Sequence, residues 1–229
     1  MSQLPKSGRG ALYIVWGNNS LDELRRSTES LRRIHPDLAI EIATVSDPGP
    51  GSYLCKSQMF GLSPFRETVF LDADTVVLDD LSFAFDKATR FGLACCIAPA
   101  VWAQRHEAIE GEVIEYNTGV LFFSEVARPV FDAWRRELSE DRPEAWAGDD
   151  QASFAIAVEQ VGFNPFVLPP NWNFRPGGPG HRDIVGPIKI WHHYSAPPPL
   201  CLNATRAEAR PSTPDWRTST QYPKPRNCA

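Results

Sequence analysis

The apolar residues of this chain come in short continuous blocks rather than alternating with polar ones. The first, Ala11-Leu12-Tyr13-Ile14-Val15-Trp16, stops at Gly17-Asn18-Asn19. An unbroken run of this length reads as a strand buried on both faces, the kind that a parallel sheet holds. Ser20 then stands where a helix N-cap belongs, and Glu23 completes a capping box. Leu21, Leu24, Leu31 and Ile34 keep helical spacing up to His35-Pro36. Residues 38–45 form a second strand before the breaker Pro48-Gly49-Pro50-Gly51. A short helical segment covers 53–62, and 68–71 make a third strand. Strands alternating with helices predict an α/β protein with a Rossmann-like, doubly wound, mostly parallel sheet. Ligands of such sheets sit at the carboxyl ends of the strands.

Beyond Asp72 the rhythm changes. Residues 91–97 and 119–123 read as further strands, 125–138 and 150–161 as amphipathic helices, and 188–191 as a last short strand. From Ala196 onward the chain is rich in Pro, Ser, Thr and Arg and lacks apolar periodicity. The expected division is therefore a single domain over 1–195 and a Pro-rich C-terminal arm over 196–229.

Composition narrows the class. Hydrophobic residues are 42% and charged residues 22% of 229, which excludes collagen-like, coiled-coil and wholly disordered chains. No run approaches the roughly 18 apolar residues of a membrane span, and residues 1–10 lack the apolar core of a signal peptide. A cytoplasmic location without a membrane span is the expectation. The 23 basic and 28 acidic residues give a charge of −5, and basic residues cluster no further than pairs such as Arg32-Arg33, so no nucleic-acid partner is expected. Cys55, Cys95, Cys96, Cys201 and Cys228 are odd in number and lack C-x-x-C spacing, which fits reduced thiols. Cys95 and Cys96 lie in an apolar run and read as core residues.

The sharpest chemical signal is Val69-Phe70-Leu71-Asp72-Ala73-Asp74. Carboxylates at i and i+2 on extended backbone share one face, so both can reach one divalent cation at the strand's end. The plain alternative is a strand ending in a polar turn with solvated acids. A rival use of the same letters is the first motif of haloacid-dehalogenase-like phosphohydrolases, with Asp72 as nucleophile. That motif closes the first strand of its domain, whereas here two strand–helix units precede it. Tyr116-Asn117-Thr118-Gly119 puts small polar residues just before a buried strand, where Gly119 permits close approach. Gly148-Asp149-Asp150-Gln151 sets acids and an amide at a helix start, which simple capping also explains. Leu168-Pro169-Pro170-Asn171-Trp172-Asn173 is a polar-aromatic loop, and Ile190-Trp191-His192-His193 ends a strand in two histidines.

Taken in order, Lys56, Asp72-Ala73-Asp74, Asn117-Thr118-Gly119, Asp150-Gln151, Leu168-Pro169 with Asn173, and His192 resemble the motifs of glycosyltransferase family eight. This is the GT-A-fold group of glycogenin and the bacterial lipopolysaccharide galactosyltransferases, and the likeness runs from about residue 11 to 195. It implies a GT-A fold and transfer of a sugar from a nucleotide-diphosphate sugar, a UDP-sugar first, to an unknown acceptor with retention of anomeric configuration. The cofactor implied is manganese, or magnesium in its place, with Asp72, Asp74 and His192 as ligands. Carboxylates with one imidazole suit manganese. Lys56, Asn117, Thr118 and Asn173 correspond to donor-binding positions. Ala73 lies between the acids, facing the ribose or the sheet, and Asp150 and Gln151 lie beside the reactive carbon as the catalytic pair.

The chain departs from the family after His192, where a Gly and then a Lys-Pro-Trp segment normally supply a phosphate-binding lysine. His193, Lys189 and Arg182 are the available substitutes, and Asp47 is a positional candidate for the base or ribose. A non-catalytic nucleotide-sugar-binding protein is the other alternative. A nucleotidyltransferase ranks lower, because no Gly-rich phosphate loop surrounds Gly17. Candidate acceptor loops are 100–115 and 175–183, with Trp102 and Trp172 as stacking or packing residues.

Overall fold

The computed structural model describes residues 6–17, 20–45, 55–98, 113–139, 150–176, 184 and 186–198. Six strands form the main sheet: β1 (Arg9–Val15), β2 (Ala39–Thr44), β3 (Glu67–Leu71), β5 (Leu93–Ile97), β6 (Tyr116–Ser124) and β7 (Phe166–Val167). Their order is β2-β1-β3-β6-β5-β7. Only β6 runs against its neighbours; β1 is parallel to β2 and β3, and β5 to β7. The fold is thus the expected α/β one with a mostly parallel central sheet. A second sheet pairs β4 (Thr75–Val77) with β8 (Ile190–His192), antiparallel.

The continuous apolar runs are explained by burial from both sides. Ala11 and Tyr13 of β1, Val69 and Leu71 of β3, and Val120 and Phe122 of β6 point into one core with Leu24, Leu31 and Phe85. Those last three come from α1 (Leu21–Ile34) and α3 (Ser82–Phe91). The alternate residues Leu12, Phe70, Leu121 and Phe123 point the other way. There they meet Phe131 and Trp134 of α4 (Arg128–Ser139) and Phe154 of α5 (Asp150–Val161), beside the short α2 (Met59–Leu62). Phe123 and Phe131 lie 4.7 Å apart, and Trp134 and Phe154 4.8 Å. Both faces of the pleat therefore carry large side chains, and no polar stripe survives in these strands. Cys95 and Cys96 are core residues as expected, and burial pushes both thiols up.

Several local expectations give way. Ser20 makes no side-chain cap; its backbone, at φ −121° and ψ 22°, lies outside the extended region that aims a capping hydroxyl at the helix, and only its carbonyl accepts the Leu24 N–H. The strand expected from Phe91 begins at Leu93, because Phe91 ends α3 and Gly92 turns the chain at φ +82°. β6 begins three residues earlier than expected, so Asn117 and Thr118 belong to the strand rather than preceding it. The last strand is Ile190–His192. α3, β4 and β7 are additional to the elements that the sequence pattern predicts. Of the 53–62 segment, described from Cys55, only Met59–Leu62 is α-helix. The arm beyond residue 198, with Cys201 and Cys228, lies outside the described residues. Among the described residues no helix is long and apolar enough to cross a membrane.

Candidate functional site

β3 delivers the acidic pair. The Asp72 N–H still bonds the Gly119 carbonyl across to β6, at 2.8 Å, and then the chain turns. The Thr75 N–H and hydroxyl both donate to the Asp72 carbonyl, at 3.1 and 2.8 Å. Asp72 and Asp74 therefore converge through a turn, not along one face of an extended strand as their spacing suggested. β4 leaves this turn and pairs with β8, setting Thr75 opposite His192, while the His193 N–H bonds the Asp74 carbonyl at 3.0 Å. The imidazole of His192 thereby lands between the acids. Its Nε2 lies 3.3 Å from Asp74 Oδ1 and 3.7 Å from Asp72 Oδ2. One ligand atom from each of the three residues lies within 4.8 Å of the others.

Gly119 makes this approach possible. A Cβ there would lie 2.5 Å from Asp72 Oδ2 and closer still to His192 Cε1. The Gly119 N–H also fixes the polarity of a chain of amides. It donates to Asn117 Oδ1 at 3.0 Å, and Asn173 Nδ2 donates to the same oxygen at 2.7 Å. Asn173 Oδ1 is thus left facing His192 Nδ1 at 2.7 Å, so Nδ1 carries the proton. Nε2 is the ring nitrogen that faces the two carboxylates. An imidazole oriented by an amide on its far nitrogen and two carboxylate oxygens form a donor set that fits a divalent cation.

A buried lysine ties this group to the start of α5. Lys56 Nζ donates to Asp72 Oδ2 at 2.8 Å and lies 3.3 Å from Asp150 Oδ2, which also accepts the Thr118 hydroxyl. Burial works against the Lys56 charge, but Asp150 and Asp72 outweigh it and raise the ammonium above its ordinary range. At Asp74 burial acts upward, but His192, with Arg175 and Lys56 behind it, holds the carboxyl at about 2. Gln151 Oε1 accepts from Asn117 Nδ2 at 2.9 Å.

These groups line a cavity of about 590 Å³ at the carboxyl ends of β1 and β3. Lys56, Asp72, Ala73, Asp74, Asn117, Thr118, Asp150, Gln151 and His192 all border it. Asn173 does not; it stands behind Asn117 and His192 and holds both. Among the substitutes for the missing lysine, Lys189 bonds Asp79 at 2.6 Å and His193 Nδ1 bonds the Ser195 hydroxyl at 2.6 Å, and neither borders the cavity. Arg182, Asp47, Asp149 and Trp102 lie outside the described residues, as do most of both candidate acceptor loops. Trp172 is a core residue against Phe122.

Arg175, expected only as the first residue of a candidate acceptor loop, borders the cavity, as do Trp16, Glu23 and Tyr194, which sequence reasoning missed as site residues. Trp16 was findable as the last residue of a buried strand. Tyr194 depends on a distant contact, the bond from Arg26 to its carbonyl at 2.8 Å. The phosphohydrolase reading gains nothing here, since Asp72 follows the third strand rather than the first.

The chain matches no protein-family model and no curated protein. Its fold is shared with solved glycosyltransferases at low identity. A galactosyltransferase, LgtC, in complex with donor and acceptor sugar analogues, is 15% identical with a TM-score of 0.56, over 81% of this chain and 87% of that one. Mouse xyloside xylosyltransferase 1 is 14% identical with a TM-score of 0.55, over 81% and 97%. A glycosyltransferase involved in glycosylation of the major capsid of PBCV-1 is 14% identical with a TM-score of 0.55, over 82% and 94%. The central architecture is thus that of GT-A-type glycosyltransferases.

Proposed function

We propose that this protein is a divalent-metal-dependent glycosyltransferase of the family-eight type, moving a sugar from a nucleoside-diphosphate donor, UDP-linked, to an acceptor with retention of configuration. The observation that carries this reading is the convergence of Asp72, Asp74 and His192 in a cavity that also holds Lys56, Arg175 and a polarised amide pair. Its volume falls in the roughly 300–1,000 Å³ range of small-ligand sites.

Asp72, Asp74 and His192 would hold manganese, or magnesium, which when bound neutralises charge on the leaving diphosphate. The protein's own residues do the rest. Asn173 keeps the His192 proton on Nδ1, leaving Nε2 available as a ligand. Lys56 ties Asp72 to Asp150. Gln151 and Asn117, locked amide to amide, present a fixed wall to sugar hydroxyls, with Asp150 beside them. Arg175 brings a second cation to the cavity for the phosphates, in place of the absent lysine.

A thermal melt with UDP, with and without Mn2+, on the native chain and on Asp74→Ala tests this. Ligand at about a hundredfold over its Kd adds roughly 2.7 kcal/mol, some 5–10 °C for a domain of this size. The expected shift needs the metal and vanishes in the variant; no shift with any nucleoside diphosphate overturns the reading. Hydrolysis of a UDP-sugar in the absence of acceptor would separate an enzyme from a protein that only binds the donor.

A further inference from the structure

Behind the acidic turn runs a line of buried hydroxyls contributed by three different elements. Tyr13 Oη of β1 lies 2.9 Å from Ser27 Oγ of α1, and Ser27 Oγ lies 2.9 Å from Thr75 Oγ1 of β4. Thr75 Oγ1 in turn donates to the Asp72 carbonyl at 2.8 Å. Tyr13, Ser27 and Thr75 are all fully buried. The direction of the line follows from its end. A carbonyl only accepts, so the Thr75 proton is committed to Asp72; the Ser27 hydroxyl must then donate to Thr75, and Tyr13 to Ser27. A second buried serine one turn along, Ser30, donates to the Ser27 carbonyl at 2.6 Å and accepts the Val77 N–H at 2.8 Å. α1 thus grips the strand that follows the turn at two points.

Core packing alone gives no reason for this polarity. α1 buries Leu24 and Leu31 against the same sheet, and burying hydroxyls among such side chains costs stability unless each is bonded. Here every hydroxyl is bonded, and the line terminates on the main chain of Asp72. Resting on the metal-site reading above, we infer that Tyr13, Ser27 and Thr75 are positioning residues: their one-way hydrogen-bond line sets the Asp72–Thr75 turn and thereby the affinity of Asp72, Asp74 and His192 for a divalent cation.

The test is Mn2+ binding to the full chain, followed by the paramagnetic resonance signal of free Mn2+, together with thermal melting of each variant. Removing a partner that orients a metal ligand weakens binding by about 10–100-fold. Thr75→Val should lose about tenfold or more in Mn2+ affinity, Ser27→Ala and Tyr13→Phe about threefold or more, and Thr75→Ser, which keeps the donor, should stay within about twofold. Thr68→Val is the matched control. It breaks the buried Ser63–Thr68 hydroxyl pair, 2.6 Å apart and away from the cavity, and should lower the Tm while leaving Mn2+ affinity unchanged. Native Mn2+ affinity in Thr75→Val and Ser27→Ala, with a Tm loss like that of Thr68→Val, would overturn the inference and leave the metal site standing. No Mn2+ binding by the native chain, with or without UDP, would overturn the metal reading and this inference with it.

Discussion

A methyl group on Gly119 would meet Asp72 Oδ2 at 2.5 Å and press harder still on His192 Cε1, and neither group can retreat without opening the ligand set. Gly119→Ala should therefore cost about 1–3 kcal/mol of stability, typical of overpacking, yet weaken Mn2+ binding by about a hundredfold, as loss of ligand geometry does. A Mn2+ titration beside a urea melt reads both. Lys56 poses the opposite problem, a charge removed rather than a volume added. Lys56→Met leaves the buried Asp150 and the partly buried Asp72 without their shared cation, a change that costs up to about 3–5 kcal/mol, the figure for a broken buried pair. Added Mn2+ should recover part of that loss, because the ion would meet Asp72. Asp74 gives the pH dependence. Its folded carboxyl at about 2 lies below the ordinary 3.8, so its contribution to stability is complete above pH 4 and is lost as the pH falls through 2. In EDTA, Asp74→Asn should lack this part of the acid limb; superimposable acid-unfolding curves would contradict it.

At the scale of elements, the site depends on its least substantial piece. β4 and β8 are three residues each: Val77 and Ile190 reach the main core, but the other face has only a small cluster, Val76, Phe174 and Trp191, the last two 5.4 Å apart. A two-stranded ribbon of this size is marginal alone, so it should open locally well before the main sheet does. The amides of Phe174 and His192 are expected to exchange faster than those of Val69 and Phe122, and Mn2+ should slow the first pair selectively; uniform protection would argue against it. The same contrast explains what could be read from the sequence. β1, β3, β5 and β6 were legible because burial on both faces leaves unbroken apolar runs. β4 and β7 are too short to show a period. α3 was obscured by Phe83 and Phe91, large apolar residues that stay partly exposed and blur its face. Asp72, Asp74 and His192 were legible as motifs. Their convergence was not, since it arises from a turn and from strand pairing between residues 75 and 192. The role of Asn173 behind His192 is likewise invisible without the fold, as is the hydroxyl line from Tyr13.

Across the whole molecule, charge decides the order of assembly. The protein carries a net −5, and the described lining of the cavity sets four carboxylates, of Glu23, Asp72, Asp74 and Asp150, against the cations of Lys56 and Arg175. Lys56 already lies against Asp72 and Asp150, so the cavity by itself repels a diphosphate rather than attracting one. A divalent ion on Asp72, Asp74 and His192 reverses the sign where the phosphates must sit. UDP should accordingly bind weakly in EDTA and about a hundredfold more tightly with saturating Mn2+, a coupling of roughly 2.7 kcal/mol. Thermodynamic linkage demands the reciprocal effect, so UDP must tighten Mn2+ by the same factor. Calorimetric titration of UDP with and without Mn2+, set against Mn2+ titration with and without UDP, closes this cycle. A factor well above one, the same in both directions as linkage requires, would make metal and nucleotide binding cooperative. A UDP affinity indifferent to metal would mean that Arg175 and Lys56 alone receive the phosphates, with the acidic turn serving some other purpose.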